Sequence, residues 1–120
     1  MLIVDDDELS SKLFTLLLEQ RGYTVLTTQL GESAIELARQ YKPDLIVMDI
    51  QLPGISGVET TRVLKADEQT SAIPIFAVTA LAMPGDEANI LKSGCDAYIS
   101  KPLDIAEFLK LVERVTIGGR

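Results

Sequence analysis

The sequence predicts an α/β domain built on a five-stranded parallel sheet with helices on both faces. Three observations lead there. Short apolar runs rich in Val and Ile, at 2–4, 45–48 and 75–78, are too brief for helices and read as buried strands, with 23–28 and 97–99 as weaker candidates. Between them lie segments with apolar residues at helical spacing, and turn signals at Gly22, Gly31, Pro43, Pro53-Gly54, Pro74, Gly94 and Pro102 separate the two kinds. Strands alternating with helices require right-handed crossovers, so the strands run parallel and the helices cover both faces.

In chain order, strand 2–4 leads into helix 8–21, which Asp7 is placed to cap, and strand 23–28 leads into helix 32–41. Strand 45–48 is followed by the turn QLPGISG and helix 57–67, where Ser56 is a capping residue. Strand 75–78 precedes helix 85–93, and strand 97–99 precedes helix 104–115. The closing TIGGR, 116–120, reads as a tail or the start of a linker.

A chain of 120 residues, 47% hydrophobic and 24% charged, is one globular domain spanning 1–120 with room for one sizeable core. Its net charge of −7, from 18 acidic and 11 basic residues, argues against nucleic acid or an anionic membrane as a direct partner, because such binding needs Lys and Arg against phosphates. No stretch reaches membrane-spanning length. One cysteine, Cys95, cannot form an internal disulfide, and the opening lacks a secretory signal, so the expected location is the cytoplasm.

Ligands of open α/β sheets bind outside the carboxyl ends of the strands. Here those ends carry Asp5, Asp6 and Asp7 after the first strand, Asp49 closing DLIVMD, Thr79 closing IFAVT and Lys101 closing AYISK. Each has an ordinary role open to it: Asp7 caps a helix, Thr79 satisfies a backbone group, Lys101 sits in water. Their agreement across four strand ends favours a site. Clustered carboxylates repel in a partly desolvated pocket, so they hold protons or bind a cation, and an all-oxygen set without His suits Mg²⁺ or Mn²⁺. With a hydroxyl and an ammonium nearby, the set suits phosphoryl chemistry, and Asp49, exposed by the Pro and Gly residues after it, is best placed as nucleophile.

The stretches LIVDDDE, DLIVMDIQLPGISGVE, IPIFAVTA and GCDAYISKPL together resemble the receiver domains of two-component response regulators over essentially the whole chain. The wording of MDIQLPGISG, VTALAMPGDE and GCDAYISKPL is most similar to single-domain cell-cycle regulators of that family. The resemblance implies a flavodoxin-like (βα)5 doubly wound sandwich with strand order 2-1-3-4-5. It implies Mg²⁺-dependent phosphorylation of Asp49 from a histidine on a kinase or phosphotransferase. Asp5, Asp6 and Asp49 would hold the ion, Asp6 directly, with the Gln51 backbone carbonyl. Thr79 and Lys101 would contact the phosphoryl group, Thr79 and Tyr98 would form the switch, and Lys101-Pro102 would be a cis bond. Such a chain is not an enzyme on other substrates, although it can slowly hydrolyse its own aspartyl phosphate. The residues two beyond Asp49 and Thr79 influence that hydrolysis in receiver domains; apolar Leu81 should hinder the attacking water, giving a slow reaction. Ser56 stands where an Asp is frequent in the family, and Leu2 follows the first residue directly; neither touches the chemistry.

Two alternatives use similar parts. A receiver segment from a hybrid histidine kinase or multidomain regulator would look the same over these residues. A metal-dependent aspartyl phosphatase also uses a strand-end Asp and Mg²⁺, but resembles D-x-D with a second catalytic acid, whereas this chain reads Asp49-Ile50-Gln51 and lacks a cap segment. A nucleotide-binding enzyme would need a glycine-rich turn where this chain has DDDE.

Helix 8–21 spreads its leucines and Phe14 over about 200° of its circumference, wider than one sheet face covers. Edge leucines are often half-exposed, and Leu9, Leu13 and Leu16 are equally suited to dock a helical histidine donor beside the acidic mouth. The chain has no His, so the donor is another molecule. Output is expected through a downstream protein partner, because no DNA-binding helix pair is present. Cys95 and Met83 read as packing residues.

Overall fold

The computed structural model describes residues 1–50, 52, 54–79, 86–100 and 104–118. Five strands, β1 (Leu2–Val4), β2 (Leu26–Thr28), β3 (Ile46–Asp49), β4 (Ile75–Thr79) and β5 (Ala97–Ser100), alternate with five helices. These are α1 (Glu8–Glu19), α2 (Gly31–Tyr41), α3 (Gly57–Ala66), α4 (Asp86–Lys92) and α5 (Ile105–Gly118). All strand pairs are parallel, in the order β2-β1-β3-β4-β5. The architecture is the expected doubly wound sandwich.

Side chains on a strand alternate between faces, and the two cores follow that alternation. Ile3, Val47, Phe76 and Val78 meet Phe14 and Leu18 of α1 and Phe108 and Val112 of α5 on one face. Leu2, Val4, Ile46, Met48 and Ile75 meet Ala34 and Ala38 of α2 and Leu64 of α3 on the other. The central strands are apolar on both faces because helices cover both. The rings of Phe14 and Phe108 pack tilted at 56° with centroids 5.1 Å apart, tying α1 to α5.

Helix starts follow local chemistry. Asp7 caps α1, its Oδ1 accepting from Leu9 N at 3.1 Å and its Oδ2 from Ser10 Oγ at 2.9 Å. Ser56 caps α3 through Oγ, which accepts from Glu59 N at 3.2 Å. The start of α2 differs from expectation: Gly31 is its first residue, not a turn before it, and Leu30 gives no side-chain cap. A Cβ at Gly31 would overlap Thr60 Oγ1 and lie 2.8 Å from Ile55 Cγ1, so the glycine lets α2 lie against α3 and the loop before it.

Other boundaries move for reasons of tertiary contact. β2 is only Leu26–Thr28, because its partner β1 offers just Leu2–Val4 to pair with, and Tyr23 and Val25 pack on the core ahead of the ladder. α5 runs through Thr116–Gly118, into the segment expected to be a tail. The buried Thr116 hydroxyl lies 2.9 Å from the Val112 carbonyl and 2.9 Å from the Tyr23 hydroxyl, which fastens this last turn to the α1–β2 connection.

Candidate functional site

The strand ends gather the acidic residues. Asp5 directly follows β1 and still belongs to the ladder, its amide donating to Thr28 O at 3.0 Å, so its side chain is held at the sheet end and is only 4% exposed. Its Oδ1 accepts from the Asp7 amide at 2.9 Å. Asp6 projects outward, and Asp7 is committed to capping α1. Asp49 is the last residue of β3, opposite Val78. At 8% exposed it is buried and not turned out by the Pro and Gly residues after it as the sequence suggests, because the start of α3 at Gly57 closes on the backbone that carries it. Thr79 ends β4 opposite Ser100 and is 2% exposed.

One carboxylate oxygen from each of Asp5, Asp6 and Asp49 lies within 4.8 Å of the others. At that spacing two like charges repel by roughly 3–4 kcal/mol at an effective dielectric near 20. Two of the three are buried, so water relieves little of this. Three oxygen donors with no imidazole, and with the thiol of Cys95 elsewhere on the α4–β5 turn, fit a hard divalent cation.

The family model described as "Response regulator receiver domain" matches residues 1–113. The chain belongs to the response regulator receiver family. It is 50% identical over 113 residues to the polar-differentiation response regulator DivK of Brucella ovis, a match covering 94% of this chain and 92% of that one. The DivK of Brucella anthropi is similar to the same extent. Among solved structures, the receiver domain of a Pseudomonas aeruginosa sensor histidine kinase, with magnesium coordinated in its active-site cleft, superposes with a TM-score of 0.87 at 34% identity, covering 94% of this chain and 93% of that one. The chemotaxis protein CheY4 of Vibrio cholerae superposes with a TM-score of 0.86 at 26% identity, covering 95% of each chain.

In this receiver domain, then, Asp5, Asp6 and Asp49 converge as the sequence suggests, and Thr79 ends the neighbouring strand. Tyr98 lies half-buried in β5 opposite Ala77. Lys101 with Pro102, Gln51, Leu81 and Met83 lie outside the described residues. Leu9, Leu13 and Leu16 are 79%, 41% and 58% exposed, so the wide apolar arc of α1 does reach solvent. Cys95 is half-buried against the α2–α3 core, and desolvation, then the neighbouring Asp96 charge, push its thiol pKa up, away from reactivity.

Two features escape a reading of the sequence. A groove of about 770 Å³ runs between α1 and β2, lined by Asp5, Glu8, Lys12, Leu16 and Thr27 among others. Gly57 packs against the backbone that carries Asp49. The only trace of the latter is a glycine where α3 should begin, which reads equally as part of a turn.

Proposed function

We propose that this receiver domain accepts a phosphoryl group on Asp49 from a partner's phosphohistidine, in a Mg²⁺-dependent reaction, and signals by binding a downstream protein differently once phosphorylated. The observation that carries this reading is a buried strand-end carboxylate, Asp49, with oxygens of Asp5 and Asp6 within 4.8 Å. An Asp49 oxygen would attack phosphorus as the bond to the donor's imidazole nitrogen breaks, leaving that imidazole neutral once protons re-equilibrate.

Asp5, Asp6 and Asp49, with the backbone carbonyl of Gln51, would hold the ion. When bound, Mg²⁺ supplies positive charge that offsets the acidic cluster and the incoming phosphoryl oxygens. Thr79 would donate its hydroxyl to a phosphoryl oxygen, Lys101 would balance the added charge, and Tyr98 would respond to the movement of Thr79. The exposed Leu9, Leu13 and Leu16, beside a groove that Asp5 also lines, support α1 as the face that docks a histidine kinase or phosphotransferase. Identity of 50% to DivK across 92% of that protein favours a DivK-type regulator over a receiver segment of a hybrid kinase. No described helix is long and apolar enough to cross a membrane, which is compatible with action in the cytoplasm.

The test is labelling with acetyl phosphate and Mg²⁺. Wild type should gain one acid-stable, hydroxylamine-labile phosphoryl group, and Asp49→Asn should gain none while keeping its fold. Wild-type labelling of Asp49→Asn would move the acceptor elsewhere, and turnover of an added phosphoester would favour the phosphatase alternative.

A further inference from the structure

At the amino ends of β4 and β5, opposite the acidic mouth, the ammonium of Lys65 gathers three separate segments. From the last turn of α3, Nζ donates to Ile73 O at 2.8 Å, to Asp96 Oδ2 at 2.9 Å and to Ser71 O at 3.3 Å. The same Asp96 oxygen accepts from Ile75 N at 2.8 Å, while Asp96 N donates to Ile75 O at 2.7 Å. Asp96 is therefore held to the first residue of β4 through both backbone and side chain, and Lys65 closes the arrangement onto α3. The Lys65 stem is pinned as well: Gly94, at φ +103° on the α4–β5 turn, leaves so little space that a Cβ there would lie 3.1 Å from Lys65 Cγ. An exposed ion pair contributes little, but this ammonium is mostly covered and also bonds two carbonyls, and charge-assisted bonds of this kind are the stronger ones.

β5 starts one residue after Asp96 and ends at Ser100, opposite Thr79. Four residues of strand, about 13 Å, separate the pinned end from the mouth, and a short strand transmits its placement along its length. We propose that Lys65 and Asp96 are positioning residues for phosphoryl recognition: by holding the base of β5 to β4 and α3, they set where Tyr98 and the strand end at Ser100, opposite Thr79, stand relative to Asp49. Asp5, Asp6 and Asp49 lie at the ends of β1 and β3, and the hydrogen bonds of the pair run instead to Ser71, Ile73 and Ile75. The pair thus governs binding of the phosphoryl group and leaves binding of the metal alone.

The inference rests on Asp49 as phosphoryl acceptor, and the experiment separates the two. Affinities for Mg²⁺ alone, and for beryllofluoride at saturating Mg²⁺, are measured by calorimetric titration for wild type, Asp96→Asn and Lys65→Met. The expected result is an unchanged Mg²⁺ affinity in all three, with beryllofluoride binding weakened roughly fivefold or more in both variants. Acetyl phosphate labelling at fixed Mg²⁺ should slow in the same proportion. Wild-type beryllofluoride affinity in Asp96→Asn, or equal weakening toward Mg²⁺ and beryllofluoride, would overturn the positioning role. Should Lys65→Met not fold, Asp96→Asn, which keeps an acceptor for Ile75 N, decides alone. Failure of wild type to bind beryllofluoride would instead strike at the Asp49 assignment.

Discussion

Gly57 rests on the backbone of Asp49: a Cβ at Gly57 would overlap the Asp49 carbonyl oxygen and lie 2.7 Å from Ile50 Cα. The Gly57 amide also donates to Ile50 O at 3.0 Å, so α3 begins in contact with the end of β3. The obstacle is main chain on both sides and cannot rotate away. Gly57→Ala should therefore destabilise the domain by about 2–3 kcal/mol, the upper range for forcing a methyl into a packed site. Gly22→Ala is the control: at φ +88° with nothing within 4 Å of its Cβ, Gly22 carries only backbone strain, about 1 kcal/mol. Urea midpoints of the two variants measure the contrast, and a milder effect at Gly57 would mean that α3 can shift away.

The repulsion among Asp5, Asp6 and Asp49 predicts opposite behaviour with and without metal. With EDTA present, Asp6→Ala should be at least as stable as wild type, because one of three clustered charges is gone. With Mg²⁺, wild type should gain stability as RT ln(1 + [L]/Kd), about 2.7 kcal/mol at a hundredfold excess over Kd, and Asp6→Ala should lose most of that gain. Melting curves across a Mg²⁺ series report both effects; a wild-type melting temperature indifferent to Mg²⁺ would end the metal assignment.

Acid should reveal Asp67. Hydrogen bonding from the Gln69 amide, and then from the Arg39 guanidinium at 2.6 Å, holds its pKa below the ordinary 3.8. A carboxyl whose pKa falls on folding adds stability that is fully present above its unfolded pKa and is lost as pH falls through the lowered folded value. Wild type should exceed Asp67→Asn at pH 7, and the two should converge below pH 3.8 as Asp67 takes up its proton. Urea midpoints from pH 7 to pH 2 follow this; a constant gap between the two proteins would mean that the charge of Asp67 is not the cause.

The alternation of elements and the acids at the strand ends were legible because both depend on short-range pattern: Ile46, Val47 and Met48 read as strand and Asp49 as its end without any knowledge of neighbours. What stayed hidden depends on residues far apart in the chain. Gly31 looks like a turn until Thr60 and Ile55 are seen pressing on it. Thr116 looks like the start of a tail, since only Tyr23, 93 positions away, shows why the helix continues. Lys65 and Asp96 look like ordinary surface charges, 31 positions apart, until the fold brings them within 2.9 Å.

Tyr23→Phe tests the hold on that last turn. It removes one hydroxyl while Thr116 keeps its bond to the Val112 carbonyl, so the loss should be about 1 kcal/mol, the usual net contribution of one hydrogen bond. For a domain of this size that lowers the melting temperature by about 4 °C. Amide exchange in the final turn of α5 should quicken more than exchange in Phe108–Val112, and uniform quickening along α5 would show that Tyr23 supports the whole helix instead.

The Met1 ammonium donates to Thr24 O at 2.6 Å, and Thr116 bonds Tyr23, so the first residue and the last turn of α5 are fastened to adjacent residues. Both lie at the pole of the sheet opposite Asp49. For anyone handling the protein, a single probe on the α1–β2 turn, at the exposed Thr24, therefore reports on the start of β1 and the last turn of α5 at once and leaves the acidic face clear.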